Sequence, residues 1–171
     1  MIFLRSIICL AFFLFSFFDS SYDYVKQADK ISSKVTARLA KRHNMIACGG
    51  SGGMMDTVNH VGMTFQKVGV FSKDEARKIV VDCVEELLRA FNEDEEIRPH
   101  LQNYPFTTNN IRVSIFFCIA GGQIYYPDFA VVGLSAEKII FSASEEGKRQ
   151  VLTYDEKESY EEALSIVRGE E

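Results

Sequence analysis

The stretch from Ser72 to Ile119 restricts the possible folds of this chain more than any other. Ser72 and Glu75 have the spacing of a capping box, in which the serine oxygen accepts the Glu75 amide and the glutamate reaches back. Behind them Ala76, Ile79, Val80, Cys83, Val84, Leu87, Leu88 and Phe91 recur at i, i+3, i+4, while Lys78, Asp82, Glu85, Glu86 and Arg89 take the opposite face. Pro99 disfavours helical backbone at Arg98, so the helix should end before it. Turn-forming residues follow at Asn103-Tyr104-Pro105-Phe106 and Asn109-Asn110. Ile111, Val113, Ile115, Phe117 and Ile119 then alternate with Arg112, Ser114, Phe116, Cys118 and Ala120, which predicts a strand with one apolar face. A long helix lying across that face is the expected centre of the molecule.

The remaining pattern supplies partners for this pair. Residues 22–43 predict a helix, with Tyr24, Ala28, Ile31, Val35 and Leu39 as a narrow apolar stripe and Lys26, Lys30, Lys34, Arg38 and Lys41 on a basic flank. Met45–Cys48 runs into Gly49-Gly50-Ser51-Gly52-Gly53, expected as a loop or a place of close backbone approach. Val58, Val61, Met63, Phe65 and Val68 predict a strand. Gly121-Gly122 should end the main strand, and short strands are expected at Gln123–Tyr126, Phe129–Leu134, Lys138–Ala143 and Val151–Tyr154, the middle pair joined over Ser135-Ala136-Glu137. A last helix carries Tyr160, Ala163, Leu164 and Val167 on one face, capped by Ser159 and stopped at Gly169. Clustered strands with tight connections predict an α+β fold: a mostly antiparallel sheet packed on a long central helix, with amino- and carboxyl-terminal helices.

Composition narrows the class. Hydrophobic residues at 47% and charged residues at 25% are globular values, which argues against both disorder and a multi-pass membrane protein. The net charge of −5 divides into +4 over residues 1–43 and −9 over the rest, so no nucleic-acid partner is expected. Met1 and Arg5 precede an apolar run from Ile7 to Phe18 that is short for a membrane span and suits a secretory signal. Residues 1–21 are therefore expected to be a signal peptide or an amino-terminal membrane anchor. Residues 22–43 then form the basic helix, and residues 44–171 a single α+β domain. Residues 2–18 and the basic helix 24–42 are the segments expected to contact a membrane.

Four constellations could carry chemistry. The glycine segment is followed by Met54 and Met55 with no lysine and lacks a third glycine in register, which excludes a P-loop or a dinucleotide fingerprint; no cofactor is expected. Cys48, Met54, His60 and Met63 offer thiol, thioether and imidazole groups of the kind that bind monovalent copper. Cys48 beside the glycines is also the body's best-placed thiol nucleophile, since Cys83 and Cys118 fall within a helix and a strand. Arg77, Arg98 and Tyr104 are candidate ligand-binding residues, with a salt-bridge network including Glu95 as the plainer use of the arginines.

The segment Gly49–Asp56, the runs Glu85-Glu86-Leu87-Leu88, Asn92-Glu93 and Ile97-Arg98-Pro99, the Tyr104-Pro105-Phe106 turn and Tyr160-Glu161-Glu162-Ala163 resemble an uncharacterised family of small bacterial proteins. That family occurs in host-associated Gram-negative organisms, often behind a signal-like amino terminus. The resemblance spans about residues 35–168. It implies export and brings no activity, so no catalytic residue is carried over. Cys48 departs from the family's pattern, which weakens the thiol reading. The expected role is non-enzymatic: an exported or membrane-tethered domain binding an unidentified protein or envelope partner. The alternative is a small thiol enzyme or copper-binding protein centred on Cys48, the Gly49–Gly53 loop and His60.

Overall fold

The computed structural model describes residues 23–147 and 152–169. The segment 1–21 and its expected membrane contact through residues 2–18 lie outside the described residues, as does Val151. No helix among the described residues is long and apolar enough to cross a membrane.

Among the described residues the fold is α+β, with three helices and a six-stranded sheet. Helix α1 (Asp23–His43) leads into β1 (Ile46–Met54) and β2 (Val58–Val68). Helix α2 (Lys73–Glu93) precedes β3 (Ile111–Cys118), β4 (Val131–Ser135), β5 (Lys138–Ala143), β6 (Tyr154–Ser159) and α3 (Tyr160–Arg168). The strands lie in sequence order and every neighbouring pair is antiparallel except β2–β3. Those two run parallel because α2 carries the chain back between them, as parallel strands require.

Register fixes which side chains share a face. Val61, Met63 and Phe65 pair with Ile111, Val113 and Ile115, and Val132, Leu134, Ile139 and Phe141 continue the same face across β4 and β5. All of these are buried, and they form one core with Val35 and Leu39 of α1, Val80, Val84, Leu87 and Phe91 of α2, and Ala163 of α3. The three helices thus cover one face of the sheet. The opposite face, carrying His60, Thr64, Gln66, Ser114, Phe116, Val131 and Ile140, contributes nothing to that core.

Local chemistry explains the ends. Both hydrogen bonds of the Ser72–Glu75 capping box form. Asn92 closes the exit of α2 by donating to the Phe106 carbonyl and accepting the Phe106 amide, while Phe106 stacks on Phe91 at 5.7 Å. Gly169 ends α3 in the left-handed region at φ 69°. The β4–β5 turn places Ala136 and Glu137 both at positive φ, the backbone of a type I′ hairpin.

Several local expectations are corrected. Gly49–Gly53 is not a loop but the middle of β1, paired with Thr64 back to His60. Such a run has no side-chain period to reveal a strand, and an edge strand needs only its backbone to pair. Gln123–Tyr126 is not a strand; Tyr125 makes a single bridge to Ser144. The last strand is Tyr154–Ser159 rather than Val151–Tyr154. Ile119 falls beyond β3 and is exposed, because the chain turns back there and bridges to Gly122.

Gly133 marks the tightest approach in the sheet. A Cβ there would fall onto the Val113 carbonyl oxygen and within 3.2 Å of Ser114 Cα, both backbone atoms that cannot move alone. A Cβ on Gly49 would meet nothing within 4 Å. Gly133→Ala is therefore expected to cost about 1–3 kcal/mol in urea unfolding, whereas Gly49→Ala should change stability by about 0.5 kcal/mol or less.

Candidate functional site

The arginines singled out in the sequence are consumed by the fold. Arg77 lies near the start of α2, 5% exposed. Its Nε and Nη2 donate to the two carboxylate oxygens of Glu158 on β6 at 2.6 and 2.8 Å, and its Nη1 bonds Asp74. Glu158 and Asp74 hold the guanidinium charge firmly, pushing its pKa further above its ordinary value, although burial acts the other way. Arg98 lies past the other end of α2, where it donates to the carbonyls of Asn92 and Glu93. These are helix-terminal acceptors with no intrahelical partner. The Arg98 guanidinium also stands 5.5 Å from the Tyr104 ring centroid. Arg98 and Tyr104 therefore sit together, while Arg77 is about 24 Å away along the helix axis. The three do not form one ligand site.

The soft-ligand grouping is likewise not assembled. Met63 faces the core and is 2% exposed. His60 is on the opposite face, packed beside Gly53. Cys48 is the exposed bulge residue between Ala47 and Gly49, with its thiol against the Ile46 carbonyl. It stands opposite the Thr64–Phe65 step, about 14 Å along the strand from His60. Met54 folds back over Gly52. Among the described residues no three His, Cys, Asp or Glu side chains are grouped to hold a metal ion. Cys83 is fully buried on α2, and burial pushes its thiol above the ordinary range; it packs and does not react.

The basic flank of α1 turns partly inward onto α2. Arg42 grips Asp82 at 2.9 and 2.8 Å, and His43 Nε2 meets the same carboxylate at 2.6 Å. Arg38 pairs with Glu86, which Arg89 also reaches at 2.8 Å and Arg42 at 3.6 Å. Glu86 is 7% exposed, and its Oε1 is balanced by the Arg38 charge rather than by a well-aimed hydrogen bond. Burial alone would raise both carboxyls; Arg89, Arg38 and Arg42 outweigh it at Glu86, and Arg42 and His43 at Asp82, leaving each below its ordinary value.

A different surface emerges on the face of the sheet that no helix covers among the described residues, the helix-free face. Ile46, Gln66, Phe116 and Val131 form one transverse row through four strands, since Ile46 pairs with Gln66, Gln66 with Phe116 and Phe116 with Val131. Val68 and Cys118 form the next row. Ile46, Val68 and Phe116 are 60%, 63% and 46% exposed, and exposed Ile119 follows at the strand end. Beside them opens a cleft of about 340 Å³ lined by Phe116, Cys118, Ile124, Val131 and Leu152. Exposed apolar side chains scattered singly need no explanation, but a grouped set beside a concavity is the usual mark of an interaction surface. Sequence reasoning missed this surface, although Phe116 was legible as an aromatic in the outward phase of β3.

Two outcomes test the polar assignments. Arg77→Met should cost about 3 kcal/mol, because it leaves Glu158 buried with only Lys73 nearby at 3.7 Å. Arg77→Met with Glu158→Leu should recover most of that loss in a double-mutant cycle. Because Asp82 and Glu86 titrate lower in the fold than in the unfolded chain, their stabilisation is complete above the ordinary carboxyl values of 3.8 and 4.5. It is lost as pH falls through the lower folded-state values. Glu86→Gln should therefore flatten the acid decline of the unfolding free energy.

No known protein family, curated protein or solved structure matches the chain.

Proposed function

We propose that this protein is a non-enzymatic binding domain of the bacterial envelope that recognises a protein partner through the helix-free face of its sheet. The observation that carries this reading is the grouping of exposed Ile46, Val68, Phe116 and Ile119 beside the Phe116–Leu152 cleft. In this reading α2 is the central helix on which the sheet packs, and α1 and α3 close its amino- and carboxyl-terminal sides. The helices serve as the rigid back of a flat, partly apolar platform. Export, with residues 1–21 cleaved or retained as a tether, follows from the apolar run behind Arg5 and from the resemblance to small exported bacterial proteins. The reading requires neither cofactor nor nucleic acid.

Contact with lipid through α1 is not part of this reading, since Arg38 and Arg42 are directed to Glu86 and Asp82. The thiol and copper alternative is not favoured by any contact of Cys48 among the described residues, where its sulfur meets the Ile46 carbonyl.

Val68→Ser with Phe116→Ser removes apolar surface that packs against nothing in the core. The pair should change unfolding free energy by about 0.5 kcal/mol or less. A photo-crosslinking residue at position 119 in cells that produce the protein should give a discrete adduct, and the same pair of substitutions should abolish it. An adduct that survives the pair, or one that forms equally at Ile166 on α3, would contradict the proposal.

A further inference from the structure

We propose that the uncovered edge of β1 is a self-association surface. Two copies pair their β1 strands antiparallel about a two-fold axis at Ser51, joining the sheets edge to edge and setting the two α1 helices side by side. This goes beyond the binding reading, because it uses the sheet edge rather than the helix-free face.

The two edges of the sheet are built differently. β6 carries Asp155, Glu156, Lys157 and Glu158 in a row, the charged pattern by which natural edge strands resist pairing with another chain. β1 runs nine residues, Ile46 to Met54, with no charge and no proline, and among the described residues nothing pairs with its outer edge. Alternate residues of β1 therefore present backbone N–H and C=O groups outward. A second copy offers the same groups in the same spacing.

The register follows from the strand itself. The β1–β2 register shifts at Cys48 on β1 and again opposite Gly53–Met54, where Asn59 of β2 is the extra residue, so the regular run is Gly49–Gly53. The antiparallel pairing of that run with its own copy has its centre at Ser51. With the axis normal to the sheet, both helical layers fall on one side. Helix α1 packs over both β1 and β2, so two α1 axes would lie about 10 Å apart, two strand spacings. That is the ordinary separation of packed helices.

The flank of α1 facing that axis is suited to the approach. Asp29, Ser32, Ser33 and Thr36 border a groove of about 600 Å³ over the β1 backbone, with no lysine or arginine among its lining residues. Antiparallel α1 helices centred on Ser32 and Ser33 set Asp29 against Thr36 of the partner subunit, so no like charges oppose. At the ends of the strand, Ile46 and Met55 are 60% and 88% exposed. The two-fold about Ser51 brings the Ile46 end of one strand alongside the Met55 end of the other.

The test is the mass of the full chain by sedimentation, in one detergent for all variants. Wild type should sediment at twice the chain mass. Ser51→Lys and Ser51→Glu should each fall to the single-chain mass, because identical charges then meet across the axis. Mixed in equal amounts, the two variants should return to twice the chain mass, which a misfolded variant could not do. Phe116→Ser on the helix-free face should leave wild-type association unchanged. Wild type at the single-chain mass would overturn the proposal, as would a mixture that stays there. Association that survives Ser51→Lys, or that is lost in Phe116→Ser, would also overturn it by moving the contact off β1.

Discussion

The structure depends on a single asymmetry: among the described residues, helices lie on one face only of the six-stranded sheet. Strands β2 to β5 each place one alternate set of side chains in the core, with Phe65, Ile115, Leu134 and Phe141 among the fully buried members. The parallel pairing of β2 and β3 makes α2 a crossover lying on that face, and α1 and α3 each contact α2. Burial of the common apolar layer is the main favourable term. Among the described residues, none of the three helices reaches the second face of the sheet.

Polar contacts define the rim of this arrangement. Arg77 with Glu158 ties the start of α2 to the β6 edge, and Arg38, Arg42 and Arg89 around Asp82 and Glu86 tie α1 to α2. Such pairs gain little over apolar residues of the same size, but losing one partner is costly, so they fix where the helices sit. This accounts for the buried charges of Arg77, Glu86 and Glu158. Arg77 and Arg98 are positioned by what they hold, not by what they could bind.

Much of this was legible where a local rule governs the backbone. The Ser72–Glu75 cap, the alternation from Ile111 to Phe117, the Phe129–Ala143 hairpin region and the Gly169 stop each depend on a few neighbouring residues. β1 was not legible, because glycines have no side-chain period and the strand is specified by its partner β2. β6 was hidden by its charges: Glu156 and Glu158 occupy the inward phase only because Lys73 and Arg77 wait there on α2. The parallel β2–β3 pair is a long-range fact with no local mark. The candidate surface follows the same logic. Ile46, Val68, Phe116 and Val131 are ordinary strand residues in sequence and become a patch only when four strands align. Cys48, His60, Met54 and Met63 are close in sequence, yet an antiparallel register sends them to different faces and ends.

The helix-free face as the working surface is the central claim, and side-chain oxidation footprinting tests it most directly. Full-length protein would be oxidised inside the cells that make it and again after purification, and the two patterns compared residue by residue. The account predicts that Phe116, Ile119 and Val68 are protected in the cell and react once purified, while Ile166 on α3 and Tyr104 beside Arg98 react alike in both. Equal reactivity of the helix-free face in both conditions, with protection confined to the helical side, would contradict it.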